Sequence, residues 1–295
     1  MVTGFEAYEL HDRQVADDVT IRYRIGGEGP PLLLLHGNPL THVSWHKLAA
    51  PLAERYTVVA PDLRGYGDSS APEPVEGHHN YSFRAMAQDQ VTLMEQLGFD
   101  RYFVAGHDRG ARTTHRMCLD HPDRILKAAM LDIIPSQYVY ANANKEWALR
   151  SWHWTFMVQP ADFPERMMGS VPPEWYMEKK LSKPGKGLAP FSEEAFAEYV
   201  RCFTPKTIMG SCEDYRATAT IDLELDTADL DRTIDMPVLV LWGQDSHTEK
   251  VFGNALEIWK ERCSDVRGWG LDCGHYVNEE SPDEVLTAFL DFFTP

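Results

Sequence analysis

No apolar run in this chain approaches the roughly 20 residues needed to cross a bilayer, so no membrane span is expected. The first residues, MVTGFEAYELHDRQ, are polar and acidic and lack the apolar core of a signal peptide, so secretion is not expected either. Lys/Arg-rich runs are missing, and 28 basic residues against 45 acidic ones give a net charge of −17. Such a surface repels nucleic acid and anionic lipid, and neither is expected as a partner. Cysteine is scarce. Cys118, Cys202, Cys212, Cys263 and Cys273 are odd in number and lack metal-type clustering, which fits reduced thiols in a cytoplasm. His42 and His46 have the four-residue spacing of metal ligands, but no third ligand is evident near them, so no metal is expected. Repeats and low-complexity segments are also missing.

What is present is an ordinary globular composition, 43% hydrophobic and 25% charged over 295 residues, enough for one large α/β domain or two smaller ones. Thr20–Arg24 alternates like an antiparallel strand. Pro31–Leu35 (PLLLL) is a continuous apolar run, the pattern of a strand buried on both faces, and Tyr56–Ala60, Ile125–Leu131 and Pro237–Trp242 read as further strands. Helical segments stand between them at Trp45–Glu54 and Ser82–Leu97, the latter closed by Gly98. The pattern ends with a helix over Asn254–Cys263, a strand over Val266–Leu271 and a helix over Pro282–Phe293. Strands alternating with helices imply a mostly parallel sheet covered on both sides, with ligands at the carboxyl ends of the strands. From about Pro135 to Asp226 the texture changes to Trp, Tyr, Met, Phe and proline without strand-type runs. This stretch reads as a helical insertion over the strand ends that excludes water from a pocket. The expected division is a core of residues 1–135 and 229–295 and a helical cap of residues 136–228.

The chemistry centres on RYFVAGHDRGARTTHRMCLD, residues 101–120. Tyr102–Ala105 reads as a short strand, Gly106-His107-Asp108-Arg109-Gly110 as a tight turn, and a helix starts at Arg109. Glycines two residues either side of a central residue suit the nucleophile elbow of the α/β-hydrolases, usually G-x-S-x-G. No G-x-S-x-G occurs in the chain, and the centre here is Asp108. A carboxylate is already ionised at neutral pH and attacks an sp3 carbon bearing a leaving group, giving an alkyl ester that water must cleave. Arg109 and Arg112 fall in the first turn of the helix, where the macrodipole disfavours cations by about 0.3–1 kcal/mol each. They want anions nearby: Asp108 itself, with its pKa lowered, and a substrate carboxylate. His36-Gly37-Asn38-Pro39 follows a central strand, where an oxyanion-hole N–H is placed, and Asn38 is the expected donor. A late loop, Asp272-Cys273-Gly274-His275-Tyr276, supplies a histidine after the nucleophile in sequence. Asp132 and Asp245 both end buried strands and compete as its acid partner.

With these residues the chain resembles the haloacetate (fluoroacetate) dehalogenases of the α/β-hydrolase superfamily. The resemblance runs over nearly the whole chain. It is carried by DLRGYGDS (62–69), GHDRGARTTHRM (106–117), LDIIP (131–135), WHWTF (152–156), GSCEDYRATATIDLELD (210–226) and CGHY (273–276). It implies an α/β-hydrolase fold with a helical cap, no cofactor, a small haloacid as substrate, and a homodimer. It also implies that Asp108 expels halide, Arg109 and Arg112 hold the substrate carboxylate, and His153, Trp154 and Tyr215 donate to the departing halide. His275 then activates water, Asp132 orients His275, and N–H groups of Asn38 and Arg109 hold the oxyanion. HGNP at 36–39 is closer to haloalkane dehalogenases, in which the Asn side chain helps bind halide. The alternative is an epoxide hydrolase, which also begins with attack by Asp but wants two cap tyrosines and has no need for Arg109 or Arg112.

Overall fold

The computed structural model describes residues 2–183 and 185–294. Eight strands form one sheet: β1 (Glu9–Ala16), β2 (Val19–Gly26), β3 (Pro31–Leu35), β4 (Thr57–Pro61), β5 (Tyr102–His107), β6 (Ile125–Leu131), β7 (Val238–Gly243) and β8 (Val266–Leu271). Their spatial order is β1-β2-β4-β3-β5-β6-β7-β8. The pairs β1/β2 and β2/β4 are antiparallel, and all others are parallel.

The apolar runs explain the layers. Alternate side chains of a strand point to opposite faces. Leu33, Leu35, Val59, Val104, Met130 and Val240 therefore enter one core, against the helices Phe83–Gln96 and Arg109–Asp120. Leu32, Leu34, Val58, Ala105, Leu131 and Leu241 enter the other, against His46–Ala53 and Pro282–Phe292. Every residue of β5 is buried, which puts the strand leading to Asp108 in the middle of the molecule.

Among the described residues, eight helices and no sheet strand lie between β6 and β7, from Ser136 to Ala228. A small third cluster ties them down: Met177, Leu181, Phe191 and Tyr199 pack on Leu40, Val43 and Tyr276. The longest of these helices, Pro205–Ala219, starts at a Thr204 capping box. Gly210 on it meets Gly65 so closely that a Cβ at Gly210 would lie 2.5 Å from the Gly65 Cα. That contact seats the helix over the strand ends.

Two expectations differ from the structure. β1 was not anticipated; all but one of its side chains are exposed and the one exception is only partly buried, so an edge strand of this kind carries no alternation to read. The helix expected over Asn254–Cys263 is confined to Ala255–Trp259.

Candidate active site

Asp108 stands at the bend between β5 and the Arg109–Asp120 helix with φ 49° and ψ −113°. The glycines around it are required by contact: a Cβ on Gly106 would lie 2.3 Å from the Gly110 carbonyl oxygen, and one on Gly110 2.3 Å from that of Leu35. The turn is thereby pressed against β3, whose exit carries Asn38. The Asn38 backbone N–H donates to Asp108 Oδ1 at 3.0 Å, and its side-chain amide donates to Ser211 Oγ at 3.2 Å.

The other carboxylate oxygen faces His275, whose Nε2 lies 3.5 Å from Asp108 Oδ2. His275 Nδ1 contacts Asp132 Oδ2 at 2.5 Å, and Asp132 Oδ1 accepts the Gly243 N–H at 2.9 Å. Asp245 is elsewhere: it pairs with Lys250 at 3.1 Å and its side chain is 64% exposed. Burial alone lowers the pKa of an imidazole, but the carboxylates of Asp108 and Asp132 reverse this and raise His275 to about 9. Burial opposes ionisation of Asp108 as well, yet the hydrogen bond and charge of His275, followed by Arg109, hold its carboxyl well below the usual range. Asp132 is lowered by His275 in the same way, against its burial.

The arginines are placed differently from the sequence expectation. Both are buried, but Arg109 pairs with Asp214 rather than with Asp108. Its Nε donates to Asp214 Oδ2 at 2.8 Å, and its Nη2 reaches both Asp214 and Thr218. The first helical turn points this side chain into the Pro205–Ala219 helix, where Tyr66 also donates to Asp214 Oδ2 at 2.5 Å. Arg112 Nη1 donates to the Ile134 carbonyl at 3.0 Å and to Ser136 Oγ at 2.8 Å. Arg109 Nη1 and Arg112 Nε are left buried without a partner among the described residues. Burial and the neighbouring Arg109 charge lower Arg112 to about 10.

Trp154 and Tyr215 are buried, and their rings cover the guanidinium groups: Arg112 lies 4.7 Å from the Trp154 centroid and Arg109 4.2 Å from that of Tyr215. His153 packs edge-on to Tyr215 at 5.6 Å, and burial keeps its imidazole neutral. A cavity of about 560 Å³ opens in front, lined by Asn38, Asp108, His153 and His275 among others. Trp154, Tyr215 and the two arginines lie outside its lining.

Sequence reasoning missed four residues here. Asp214 neutralises Arg109. Tyr140 Oη and Trp147 Nε1 are buried donors without a partner among the described residues, and both rings pack on Trp154, at 5.7 and 5.9 Å. His247 lines the cavity with its ring 5.2 Å from that of His275. The helix around Asp214 carries Ile208, Cys212 and Tyr215 beside its polar residues, so its local pattern did not single out Asp214 as a partner for Arg109. Of the histidines with metal-type spacing, His42 contacts Asp62 at 2.8 Å and His46 contacts Glu279 at 3.2 Å. Ligand atoms of Asp132, His247 and His275 lie within 4.8 Å of one another, but both His275 nitrogens already face carboxylates.

Sheet order, elbow and the Asp–His–Asp arrangement define an α/β-hydrolase, and residues 30–282 match the family described as alpha/beta hydrolase fold. Within that superfamily the chain belongs to the haloacetate dehalogenase family. It is 43% identical to a fluoroacetate dehalogenase of Burkholderia sp over 97% of this chain and 95% of that one. It is 34% identical to a soluble epoxide hydrolase of Corynebacterium sp. (strain C12), over 97% of each chain. A solved α/β-hydrolase structure from Nostoc sp PCC 7120 superposes with a TM-score of 0.93 at 48% identity, covering 98% of this chain and 99% of that one.

Proposed function

We propose that this hydrolase removes halide from short 2-haloacids, converting fluoroacetate or chloroacetate to glycolate, through an ester on Asp108. The observation that carries the reading is the pair of buried guanidinium N–H groups, Arg109 Nη1 and Arg112 Nε, left without partners among the described residues and within electrostatic reach of the ionised Asp108 carboxylate. Leaving such donors unmet costs stability unless a ligand meets them. A small carboxylate does so and brings its α-carbon toward Asp108.

In the first step Asp108 Oδ2 attacks the α-carbon, a C–O bond forms and the halide leaves with the C–X electron pair. His153, Trp154 and Tyr215 donate hydrogen bonds to it. Fluoride is a poor leaving group, so donors held in a dry site lower this barrier most. Alkylation removes the Asp108 charge, so the His275 pKa falls and a neutral imidazole becomes available. His275 then takes a proton from water, and hydroxide adds to the Asp108 carboxyl carbon. The oxyanion on Oδ1 is held by the Asn38 and Arg109 N–H groups. Collapse expels the glycolate oxygen, which takes the proton back from His275. The Asp108 carboxyl, left carrying the added hydroxyl, releases its proton to solvent to restore the carboxylate. Asp132 orients His275 and balances its charge. No cofactor enters.

We assign residues 1–135 and 229–295 to the catalytic core and 136–228 to the cap. Buried free cysteines fit a cytoplasmic enzyme. Leu149, Trp152, Phe163, Met167 and Trp175 expose apolar surface on the cap, which suits a homodimer; sedimentation at micromolar concentration tests that state.

The second reading is an epoxide hydrolase. It is favoured by Tyr215 and Tyr140, two cap tyrosines on either side of Trp154. Halide release from fluoroacetate and chloroacetate, assayed beside diol formation from styrene oxide, separates the two. Diol without halide overturns the dehalogenase reading.

A further inference from the structure

Half of the lysines in this acidic protein face one cavity. The sequence contains ten lysines. Lys179, Lys180, Lys183, Lys186 and Lys250 line the space in front of Asp108, together with Arg150. Six cationic side chains thus stand against three carboxylates, Asp108, Asp245 and Glu280, in a chain of net charge −17. They arrive from separate segments. Arg150 ends the helix Lys145–Arg150, Lys179 and Lys180 close Pro173–Leu181, Lys183 and Lys186 follow it, and Lys250 sits in the turn Thr248–Phe252. A favourable helix dipole accounts for cations at one helix end, but not for convergence from four segments.

At the rim most of these charges are balanced. Lys250 pairs with Asp245 at 3.1 Å, Lys183 with Glu280 at 3.7 Å, Lys179 with Glu178 at 2.9 Å and Arg150 with Glu146 at 3.1 Å. Further in, Lys180 has no salt-bridge partner among the described residues. Its ammonium lies 5.8 Å from the Trp152 ring centroid, and Asp108 is the acid whose charge reaches it. Burial pushes Lys180 down to about 7, the condition of an ammonium lacking a counter-anion.

We propose that this lysine-lined mouth is an anion-capturing vestibule, with Lys180 as its inner station, that holds the carboxylate of a small haloacid before it passes to Asp108. The inference rests on the haloacid function. It adds that selectivity for anionic over neutral haloalkyl compounds is set at the entrance as well as at the arginines. Cations lining a cleft raise the local concentration of anions, an effect that salt removes.

The test compares the unmodified protein with the triple variant Lys179→Gln/Lys180→Gln/Lys186→Gln and with Lys180→Arg, after circular dichroism shows all three folded. Each lost charge should lower kcat/KM for chloroacetate about two- to threefold at low ionic strength, and the three together about tenfold. The ratio of kcat/KM for chloroacetate to that for neutral chloroacetamide should fall by the same factor. The loss should disappear near 1 M salt, and Lys180→Arg should keep the unmodified value. Calorimetric titration with acetate, an unreactive carboxylate, should show about tenfold weaker binding in the triple variant. Unchanged kcat/KM, unchanged salt dependence or unchanged acetate affinity would overturn the vestibule. If the unmodified protein releases no halide from any haloacid, the functional reading fails, and the acetate titration then decides the vestibule by itself.

Discussion

His275 holds its Nδ1 2.5 Å from Asp132 Oδ2 across 143 residues of sequence, while its Nε2 lies 3.5 Å from Asp108. One imidazole bridges two carboxylates, and its protonated form belongs to the folded state. Because the folded pKa, about 9, lies above the unfolded value of 6.5, this stabilisation is complete below pH 6.5 and is lost as pH rises through 9. Thermal melting of the unmodified protein should therefore weaken between pH 6.5 and 9. In Asp108→Asn, which removes one of the two carboxylates, the decline over that window should be smaller. An equal decline in both proteins would contradict the bridge.

Replacing Asp132 by Asn leaves His275 without a charged partner once Asp108 is esterified, so water attack on the ester slows more than ester formation. We expect kcat to fall by about 10³–10⁴-fold and intact-mass spectrometry after incubation with chloroacetate to show the alkylated protein. Asp245→Asn should behave like the unmodified enzyme, because Asp245 is engaged by Lys250 at the surface. Trapped ester in Asp245→Asn, and none in Asp132→Asn, would reverse the assignment.

Arg112 Nε has no partner among the described residues, while Nη1 holds Ile134 and Ser136. Arg112→Ala should lower kcat/KM for haloacetate by about 10–10²-fold, the worth of one charge-assisted hydrogen bond, and mainly through KM. Steady-state kinetics with chloroacetate check this. Unchanged KM would remove Arg112 from the carboxylate site.

Tyr215→Phe removes one hydroxyl donor and leaves the ring over Arg109. Defluorination should slow by about 10²-fold, with a smaller loss for bromoacetate, whose leaving group needs less help. Equal losses for the two halides would place Tyr215 in packing alone.

Gly210→Ala puts a methyl group against the Gly65 backbone, and overpacking of this kind costs about 1–3 kcal/mol. The melting temperature should fall and kcat should fall with it, because Tyr215 and Asp214 ride on the same helix. A fully stable, fully active variant would show that the helix seat is loose.

The buried strands were legible because a sheet covered on both faces leaves near-continuous apolar runs: β3 coincides with Pro31–Leu35, and β7 falls within one residue of Pro237–Trp242. β1 was not, since its side chains face solvent and only its backbone is paired. At the site, Asp108, Asn38 and His275 could be placed from local motifs because each sits on a loop that follows a strand. The choice between Asp132 and Asp245 could not be made locally, since it depends on which acid the fold turns toward a loop more than 140 residues from Asp132. Arg109 illustrates the same limit. Its sequence neighbour Asp108 was the natural partner, yet the helix turns its guanidinium to Asp214, 105 residues on.

The central claim is that the substrate becomes covalently attached to Asp108. Under single-turnover conditions in heavy-oxygen water with chloroacetate, digestion and mass spectrometry of the peptide containing Asp108 should find the label in its carboxyl group, and the first glycolate released should be unlabelled. Label appearing directly in glycolate, with none in Asp108, would contradict the account.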